Sequence, residues 1–251
     1  MGKKYLSKKE KKRLKYLKSL ETEEEKEVKE YEKKKIKIPK ISKTWLVIIL
    51  IFLAIVGYSI YSNVARPQYT PIKTDSPFVG NPNANVTIIE YSDFQCSYCA
   101  QFHKTTYPEI RDKYISTGKV KFVFKNFLIE QIYTLSNKAA QAARCAYEQD
   151  RFEEYALNLY NKQNEWSKLG VSKFKDYAKQ FGLNMTAFNQ CLDSGAMEEL
   201  VKRDFEEGKK NGITGTPSFL INKKRIIGAK PFDDFQKIID AELGITNSTQ
   251  S

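Results

Sequence analysis

Three consecutive segments in the middle of the chain have regular patterns of apolar and polar residues. Val86–Tyr91 is rich in β-branched residues and bounded by turn formers, which predicts a buried strand. Val120–Phe124 alternates in polarity and predicts a second strand. Between them, Ser97–Tyr114 has apolar side chains at helical spacing, with Pro108 as a kink. The apolar positions are Cys99, Phe102, Thr106 and Ile110. The predicted order is strand, helix, strand.

The periodicity is helical from about residue 135 to residue 210, where five alanines between 139 and 146 are strong helix formers. Strands return at Ser218–Ile221 and Arg225–Ile227, which a short hairpin turn joins. A last helix is predicted over Pro231–Leu243, with two acidic residues in its first turn. The sequence therefore predicts an α/β domain that contains an all-helical segment at about 131–211.

Residues 44–65 form a run of 22 residues without any charge, and its centre is almost wholly aliphatic. That length is sufficient to cross the apolar core of a bilayer. The alternative is a cleaved signal peptide, but its apolar region is about 7 to 15 residues long and its basic leader is short. Here the leader has 43 residues. We expect an uncleaved single-pass transmembrane anchor.

The formal net charge of +12 is concentrated ahead of this run. Residues 1–43 contain 17 Lys/Arg and 8 Asp/Glu, so that they carry +9 of the total. Basic residues beside an apolar span predict a cytoplasmic amino terminus and an extracytoplasmic folded domain. The excess belongs to a solvated tail, and we expect no nucleic-acid partner. Residues 66–83 contain four of the eight prolines and predict an extended linker.

Candidate chemistry lies in the sequence Cys96-Ser97-Tyr98-Cys99, directly after the first strand. A cysteine at the amino terminus of a helix meets unpaired backbone amides and the positive end of the helix dipole, which stabilise a thiolate. Such sites lower a thiol pKa to roughly 3.5 to 7.5, against about 8.5 for a free cysteine. We expect Cys96 to be the exposed, reactive thiol and Cys99 to be turned inward.

Half of a zinc site is the alternative for a CxxC sequence. Zinc requires two further ligands at short spacing, whereas Cys145 and Cys191 are 46 residues apart and His103 is the single histidine. We therefore expect a dithiol with no metal and no cofactor. All four cysteines follow the uncharged run, which agrees with an oxidising compartment.

Gly215-Thr216-Pro217-Ser218-Phe219 opens the third strand. A proline at the start of a strand is often only an edge position. In an α/β chain with an upstream CxxC, a cis bond between Thr216 and Pro217 that faces the two cysteines is the better interpretation, although only about 5 to 6% of X-Pro bonds are cis.

Residues 78–251 resemble a DsbA-like member of the thioredoxin superfamily, in which a helical domain is inserted into the thioredoxin fold. The resemblance rests on Val86–His103, the helical insertion and Gly215–Phe219, and covers some 70% of the chain. It implies that the domain spans 84–251, after the tail at 1–43, the anchor at 44–65 and the linker at 66–83.

The resemblance also implies a role for each matching residue. Cys96 is the nucleophile, Cys99 is the resolving thiol, and Thr216 and Pro217 meet the substrate backbone. Glu90, six residues before Cys96, is the buried acid that handles the proton of Cys99. A solvated carboxylate at the end of a strand remains the alternative for Glu90.

The chain departs from the strongly oxidising members of that family between the cysteines, where Ser97 and Tyr98 replace Pro-His. One stabiliser of the thiolate is therefore absent, and the direction of electron flow is open. His103 lies four residues after Cys99 and either contacts the site or is a structural residue of the helix. Cys145 and Cys191, both in the insertion, are expected to form a structural disulfide.

The expected function is thiol–disulfide exchange on cysteine-containing secreted or surface proteins, as a disulfide-forming oxidase. The alternatives are a disulfide isomerase or reductase, and a tethered, chaperone-like peptide-binding module in which the cysteines form a structural disulfide. The family implies a quinone-linked membrane oxidase, of the DsbB or vitamin K epoxide reductase-like type, as the partner that reoxidises the cysteines.

Overall fold

The computed structural model of the protein describes most of the chain after the basic tail. The described residues are 8–9, 11–13, 15–16, 18, 26, 43–64, 69, 71, 73, 75–129 and 132–245. Almost all of the tail predicted at 1–43 lies outside them. The chain divides into two compact units, Met1–Asn63 and Val64–Ser251.

Helix α1, Lys43–Val64, has 22 residues and contains the uncharged run. Its side chains are described for residues 44–59, and all of them are exposed. Of the helices in the part of the chain that the structure describes, none is both long enough and apolar enough to cross a membrane.

The second unit is built on a five-stranded sheet in the order β1-β3-β2-β4-β5. The strands are β1 (Phe78–Gly80), β2 (Val86–Ser92), β3 (Val120–Asn126), β4 (Ser218–Ile221) and β5 (Lys224–Ile227). β2 and β3 are parallel, and the other three pairs are antiparallel. The hairpin β4–β5 therefore extends the sheet beside β2.

The crossover between β2 and β3 is helix α2, Ser97–Ile110, which continues as a π-helical turn over Arg111–Ile115. Pro108 lies inside the helix and removes one backbone donor, and the turn that follows adopts the wider π geometry. Phe102 of α2 is fully buried. Its ring packs against the rings of Phe122, Phe219 and Phe235 at centroid distances of 6.5, 4.5 and 5.4 Å.

Six helices lie between β3 and β4 and form the insertion. They are α3 (Ser136–Tyr147), α4 (Phe152–Asn161), α5 (Gln163–Leu169), α6 (Ser172–Gln180), α7 (Met185–Ser194) and α8 (Glu198–Lys210). A disulfide joins Cys145 of α3 to Cys191 of α7, with a Cα–Cα distance of 5.9 Å. The last helix, α9 (Phe232–Glu242), returns to the sheet, and Pro231 is its N-cap. The architecture is a thioredoxin-like α/β fold with a helical insertion.

A buried ion pair joins the insertion to the sheet. Arg144 Nη2 of α3 donates to Asp204 Oδ2 of α8 at 2.6 Å, and both side chains are at most 1% exposed. The same carboxylate oxygen accepts from the side-chain amide of Asn126, at the end of β3, at 3.0 Å. The helices are thus fixed against the strand that follows α2.

The segment predicted as a linker contributes structure of its own. It contains β1, and residues before β1 contact the end of α3. The Tyr69 hydroxyl donates to Glu148 Oε2 at 3.1 Å, and the Lys73 backbone amide donates to Glu148 Oε1 at 2.9 Å. The second half of this proline-rich segment is therefore attached to the insertion.

Candidate active site

Cys96 occupies the N-cap position of α2, at the end of the loop that follows β2. Its backbone amide donates to the carbonyl of Asp93 at 3.1 Å, and its own carbonyl accepts from Ala100 at 3.1 Å. The sulfur therefore lies beside the first turn of the helix, whose amides have no partner within the helix. Cys96 and Cys99 are both reduced in this structure.

Cys96 was expected to be exposed, but only 3% of its surface is accessible. The cis-proline loop covers the sulfur, because Cys96 Sγ lies 3.6 Å from the carbonyl oxygen of Thr216. From the other side, the Gln163 side-chain amide of α5 donates to the carbonyl of Cys96 at 3.1 Å. Ser97 and Tyr98 between the cysteines remain exposed. The site opens to solvent at these two residues.

The two thiols have opposite acidities. A hydrogen bond from the Cys99 thiol is the largest cause that lowers the pKa of Cys96, which falls to about 6 although burial opposes the change. The backbone amides of Cys99 and Tyr98 and the Thr216 side chain lower it further. Burial raises the pKa of Cys99 well above its ordinary value, and the Cys96 sulfur and the negative charge of Glu90 add to that effect. At neutral pH the pair is a Cys96 thiolate beside a Cys99 thiol.

The Thr216–Pro217 peptide bond is cis. The Pro217 carbonyl accepts from Gly228 N at 2.8 Å, and the Ser218 hydroxyl donates to the Gly215 carbonyl at 2.6 Å, so that both ends of the loop are fixed. The Thr216 hydroxyl is buried and has no partner in hydrogen-bonding geometry among the described residues. It is therefore free to donate to the neighbouring Cys96 sulfur.

Glu90 lies on β2 and is completely buried. This burial excludes the alternative of a solvated carboxylate. Both carboxylate oxygens contact Nε2 of His103, at 3.0 and 2.9 Å, and the His103 side chain is 1% exposed. His103 therefore contacts the acid predicted to serve Cys99, which decides the question that the sequence left open.

Two polar residues that the sequence analysis did not single out hold the loop before Cys96. Asp93 is buried, and its carboxylate accepts from Gln95 N at 2.8 Å and from Ile129 N at 2.9 Å. Gln163 donates to the Phe94 carbonyl at 2.7 Å as well as to that of Cys96. The bond from Gln95 N is an Asx turn, and the only signal in the sequence was an aspartate at the start of the loop.

The second cysteine pair is separate from the first. Cys145 and Cys191 are buried and bonded to each other within the insertion, and they belong to α3 and α7. Neither of them influences the pKa of Cys96 or Cys99 among the main causes of those shifts. The structure thus brings together Cys96, Cys99, Glu90, Thr216 and Pro217, and keeps the disulfide apart.

Comparison with known proteins agrees with this geometry. The sequence model of the thioredoxin family matches residues 73–241, which is more than half of the chain. A putative protein-disulfide oxidoreductase of Rickettsia prowazekii is 27% identical over 183 residues, which cover 71% of this chain. The chain spans only 66% of the length of that relative.

Two further similarities concern proteins named for disulfide chemistry. Disulfide bond formation protein D of Bacillus subtilis is 28% identical over 178 residues, covering 66% of this chain and 77% of that protein. The crystal structure of alpha-DsbA1 from Wolbachia pipientis is similar with a TM-score of 0.62 at 28% identity. That similarity covers 73% of this chain and 96% of the Wolbachia chain.

Proposed function

Because the chain belongs to the thioredoxin family, we propose that it is a protein thiol–disulfide oxidoreductase that forms disulfide bonds in proteins outside the membrane. The observation that carries this proposal is the unequal pair of thiols beside a cis-proline loop. Cys96 has a pKa of about 6 and contacts Thr216, whereas the pKa of Cys99 is raised by burial. A structural disulfide requires no such difference.

In the proposed reaction the enzyme begins with a Cys96–Cys99 disulfide. A substrate thiolate attacks Cys96 Sγ, a bond forms between the two sulfurs, and the Cys96–Cys99 bond breaks. Cys99 leaves with the electron pair and takes up a proton, because a buried thiolate with a raised pKa is unfavourable. A second substrate thiolate then attacks its partner sulfur and releases the Cys96 thiolate. The substrate loses two electrons, and the enzyme gains them.

The direction of electron flow follows from the stability of the released thiolate. A thiol with a pKa of about 6 is a good leaving group and is mostly ionised at pH 7. Stabilising the reduced form makes the disulfide a stronger oxidant. Oxidation of substrates is therefore favoured over their reduction, despite the absence of a histidine between the cysteines. The Bacillus relative is named for disulfide bond formation, which supports the same direction.

The proposed location is the outer face of a membrane, with α1 as the anchor and the amino terminus in the cytoplasm. The side chains described in α1 cover residues 44–59, fewer than the about 20 that a span requires. The support is therefore the sequence, in which the whole uncharged run has 22 residues and follows a basic tail. A quinone-linked membrane oxidase, as the family resemblance implies, is the proposed electron acceptor that regenerates the disulfide.

Equilibration with glutathione tests the activity and its direction. Full-length protein in detergent is incubated in defined ratios of oxidised and reduced glutathione, and the fraction of reduced Cys96 is measured. We expect a potential well above the about −270 mV of a general reductant such as thioredoxin. The oxidised enzyme should also form disulfides in a reduced, unfolded test protein. A potential below −270 mV would contradict the oxidase, and a disulfide that resists reduction would identify a structural cross-link.

Protease accessibility tests the location. Protease added to intact spheroplasts should digest the region after residue 65 and spare residues 1–43. A soluble protein cut near residue 65 would instead identify a signal peptide.

A further inference from the structure

We propose that His103 is a positioning residue for the resolving thiol: it holds the Glu90 carboxylate as a proton acceptor for Cys99. The inference deepens the function proposed above and rests on it. Its basis is one buried contact, in which Nε2 of His103 lies 3.0 and 2.9 Å from the two oxygens of Glu90. A carboxylate that far from water requires a donor to remain charged.

The surroundings of the imidazole determine which nitrogen carries the proton. His103 Nδ1 is buried and has no hydrogen-bond partner among the described residues. A bare acceptor nitrogen is tolerated there at lower cost than an N–H group without an acceptor. The tautomer with its proton on Nε2 satisfies this condition and donates to Glu90. His103 is therefore a neutral donor, and the negative charge remains on Glu90.

Packing fixes the orientation of this donor. The His103 ring is stacked on Tyr160 of α4, with centroids 4.0 Å apart and planes inclined by 10°. The Tyr160 hydroxyl in turn is 2.7 Å from the Ser92 hydroxyl at the end of β2. Tyr107 lies on the other flank, 5.0 Å from the imidazole. Three elements thus determine where Nε2 points.

The titratable groups around the pair do not compete for the proton at neutral pH. Tyr107 on α2 and Tyr160 on α4 are buried phenols, and burial is the largest cause that raises the pKa of each well above its ordinary value. Asp93 contributes a further negative charge that reaches Tyr160 from the loop before α2. Cys99 remains as the thiol that feels the charge of Glu90 and must exchange a proton during the reaction.

The consequence for the reaction concerns the step in which Cys99 attacks a mixed disulfide at Cys96. Cys99 loses its proton, a bond forms between the two cysteine sulfurs, and the substrate leaves as a thiolate. Glu90 accepts the proton only if it is ionised beforehand. Without the donor at residue 103 a buried Glu90 takes up a proton from solvent and is no longer a base.

A reaction with 5,5′-dithiobis(2-nitrobenzoate) separates this step from the attack by Cys96. Full-length reduced protein in detergent releases one thionitrobenzoate when Cys96 attacks the reagent, and a second one when Cys99 attacks the mixed disulfide. His103→Phe keeps a ring that stacks on Tyr160 but removes the donor. His103→Gln keeps an amide donor at similar reach and is the matched control.

We expect an unchanged first phase in both variants. The second phase at pH 7 should be at least about 10-fold slower in His103→Phe, as a lost general base implies, and within about 3-fold of wild type in His103→Gln. The defect should diminish as the pH is raised. Loss of the Glu90 charge also makes Cys99 more acidic, but burial is the largest cause of its raised pKa, so the loss of the base dominates.

Glu90→Gln distinguishes positioning from packing. If His103 acts through Glu90, the double variant His103→Phe with Glu90→Gln is no slower in the second phase than Glu90→Gln alone. Additive losses, or equal second phases in the Phe and Gln variants, would overturn the inference. Absence of a fast first phase in the wild type would instead contradict the proposed function, so the two failures are distinguishable.

A spectroscopic measurement requires no variant. His103 is the only histidine in the chain, so its two ¹⁵N resonances are identified without ambiguity. We expect a neutral imidazole at pH 7 with the proton on Nε2. An imidazolium, or a proton on Nδ1, would also overturn the inference.

Discussion

The Cys96 sulfur lies 3.6 Å from the carbonyl oxygen of Thr216, the residue that precedes cis Pro217. That carbonyl accepts a hydrogen bond only from the neutral thiol. The thiolate is instead stabilised by donors, first the Cys99 thiol and then backbone amides of the first helical turn. The pKa of about 6 shows that the donors outweigh the carbonyl.

The contribution of the Cys99 thiol to the acidity of Cys96 is testable with two variants that differ in one atom. Cys99→Ser retains a donor, and Cys99→Ala removes it. A hydrogen bond to a charged group is worth about 1.5 to 3 kcal/mol, equivalent to roughly 1 to 2 pKa units. We expect the pKa of Cys96 to remain near 6 in Cys99→Ser and to rise by roughly that amount in Cys99→Ala. Thiolate absorbance at 240 nm measures both, and equal values would exclude this hydrogen bond as the main cause.

The two cysteines should also differ in the adducts that they form. Cys99→Ser should accumulate mixed disulfides between Cys96 and substrate proteins, because the intramolecular attack that releases them is lost. Cys96→Ser is the matched control and should trap far fewer. Non-reducing electrophoresis of cells that express each variant measures the adducts. Equal trapping through Cys99 would reverse the two roles.

Local patterns were sufficient to predict β2, α2 and β3, because alternation and helical spacing depend only on neighbours in the sequence. β2 was predicted at 86–91 and ends at Ser92, and β3 extends two residues beyond Phe124. β1 was not predicted. It has three residues in a proline-rich segment, and it is a strand because its backbone pairs with β3 more than 40 residues later.

Residues that meet only after folding were harder to predict. The i+4 spacing from Cys99 gave the helix face of His103, but not the presence of Glu90 on the strand opposite that face. Arg144 and Asp204 are 60 residues apart, and Gln163 and Cys96 are 67 apart. No periodicity connects such positions. Cys96 was expected to be exposed because the helix terminus alone was considered, without the cis-proline loop that covers it.

Removal of the second disulfide should affect stability and not exchange. Cys145→Ser with Cys191→Ser opens a loop of 46 residues, and the loss is expected to be roughly 2 to 4 kcal/mol. For a domain of this size each kcal/mol shifts Tm by about 2 to 4 °C. Thermal unfolding and the thionitrobenzoate assay measure the two effects separately. Loss of exchange in a protein that remains folded would give this pair a redox role.

The depressed pKa of Cys96 links the stability of the reduced protein to pH. The unfolded thiol has a pKa of about 8.5, and the folded one about 6. The ionised form therefore stabilises the reduced fold fully above about pH 8.5, and this contribution is lost as the pH falls to 6. Cys99 has the opposite shift, so its contribution is constant below about pH 8.5.

We therefore expect the Tm of the reduced protein, minus that of the oxidised protein, to decrease between pH 8 and pH 6. The reduced Cys96→Ala variant lacks the ionising group and should show no such trend relative to the oxidised wild type. A difference in Tm that is independent of pH would contradict the low pKa and, with it, the argument for an oxidising direction.

The buried pair of Arg144 and Asp204 provides the last test, of the junction between insertion and sheet. Asp204→Ala leaves the Arg144 guanidinium buried without its partner, and such a loss is expected to cost about 3 to 5 kcal/mol. Replacing both residues by apolar ones, Arg144→Met with Asp204→Leu, removes the unpaired charge and should recover a large part of that loss. Denaturant unfolding of the three proteins measures the coupling. If the double variant were as unstable as the sum of its single variants, the pair would not be coupled. The insertion would then be held to β3 by apolar packing and by the Asn126 hydrogen bond alone.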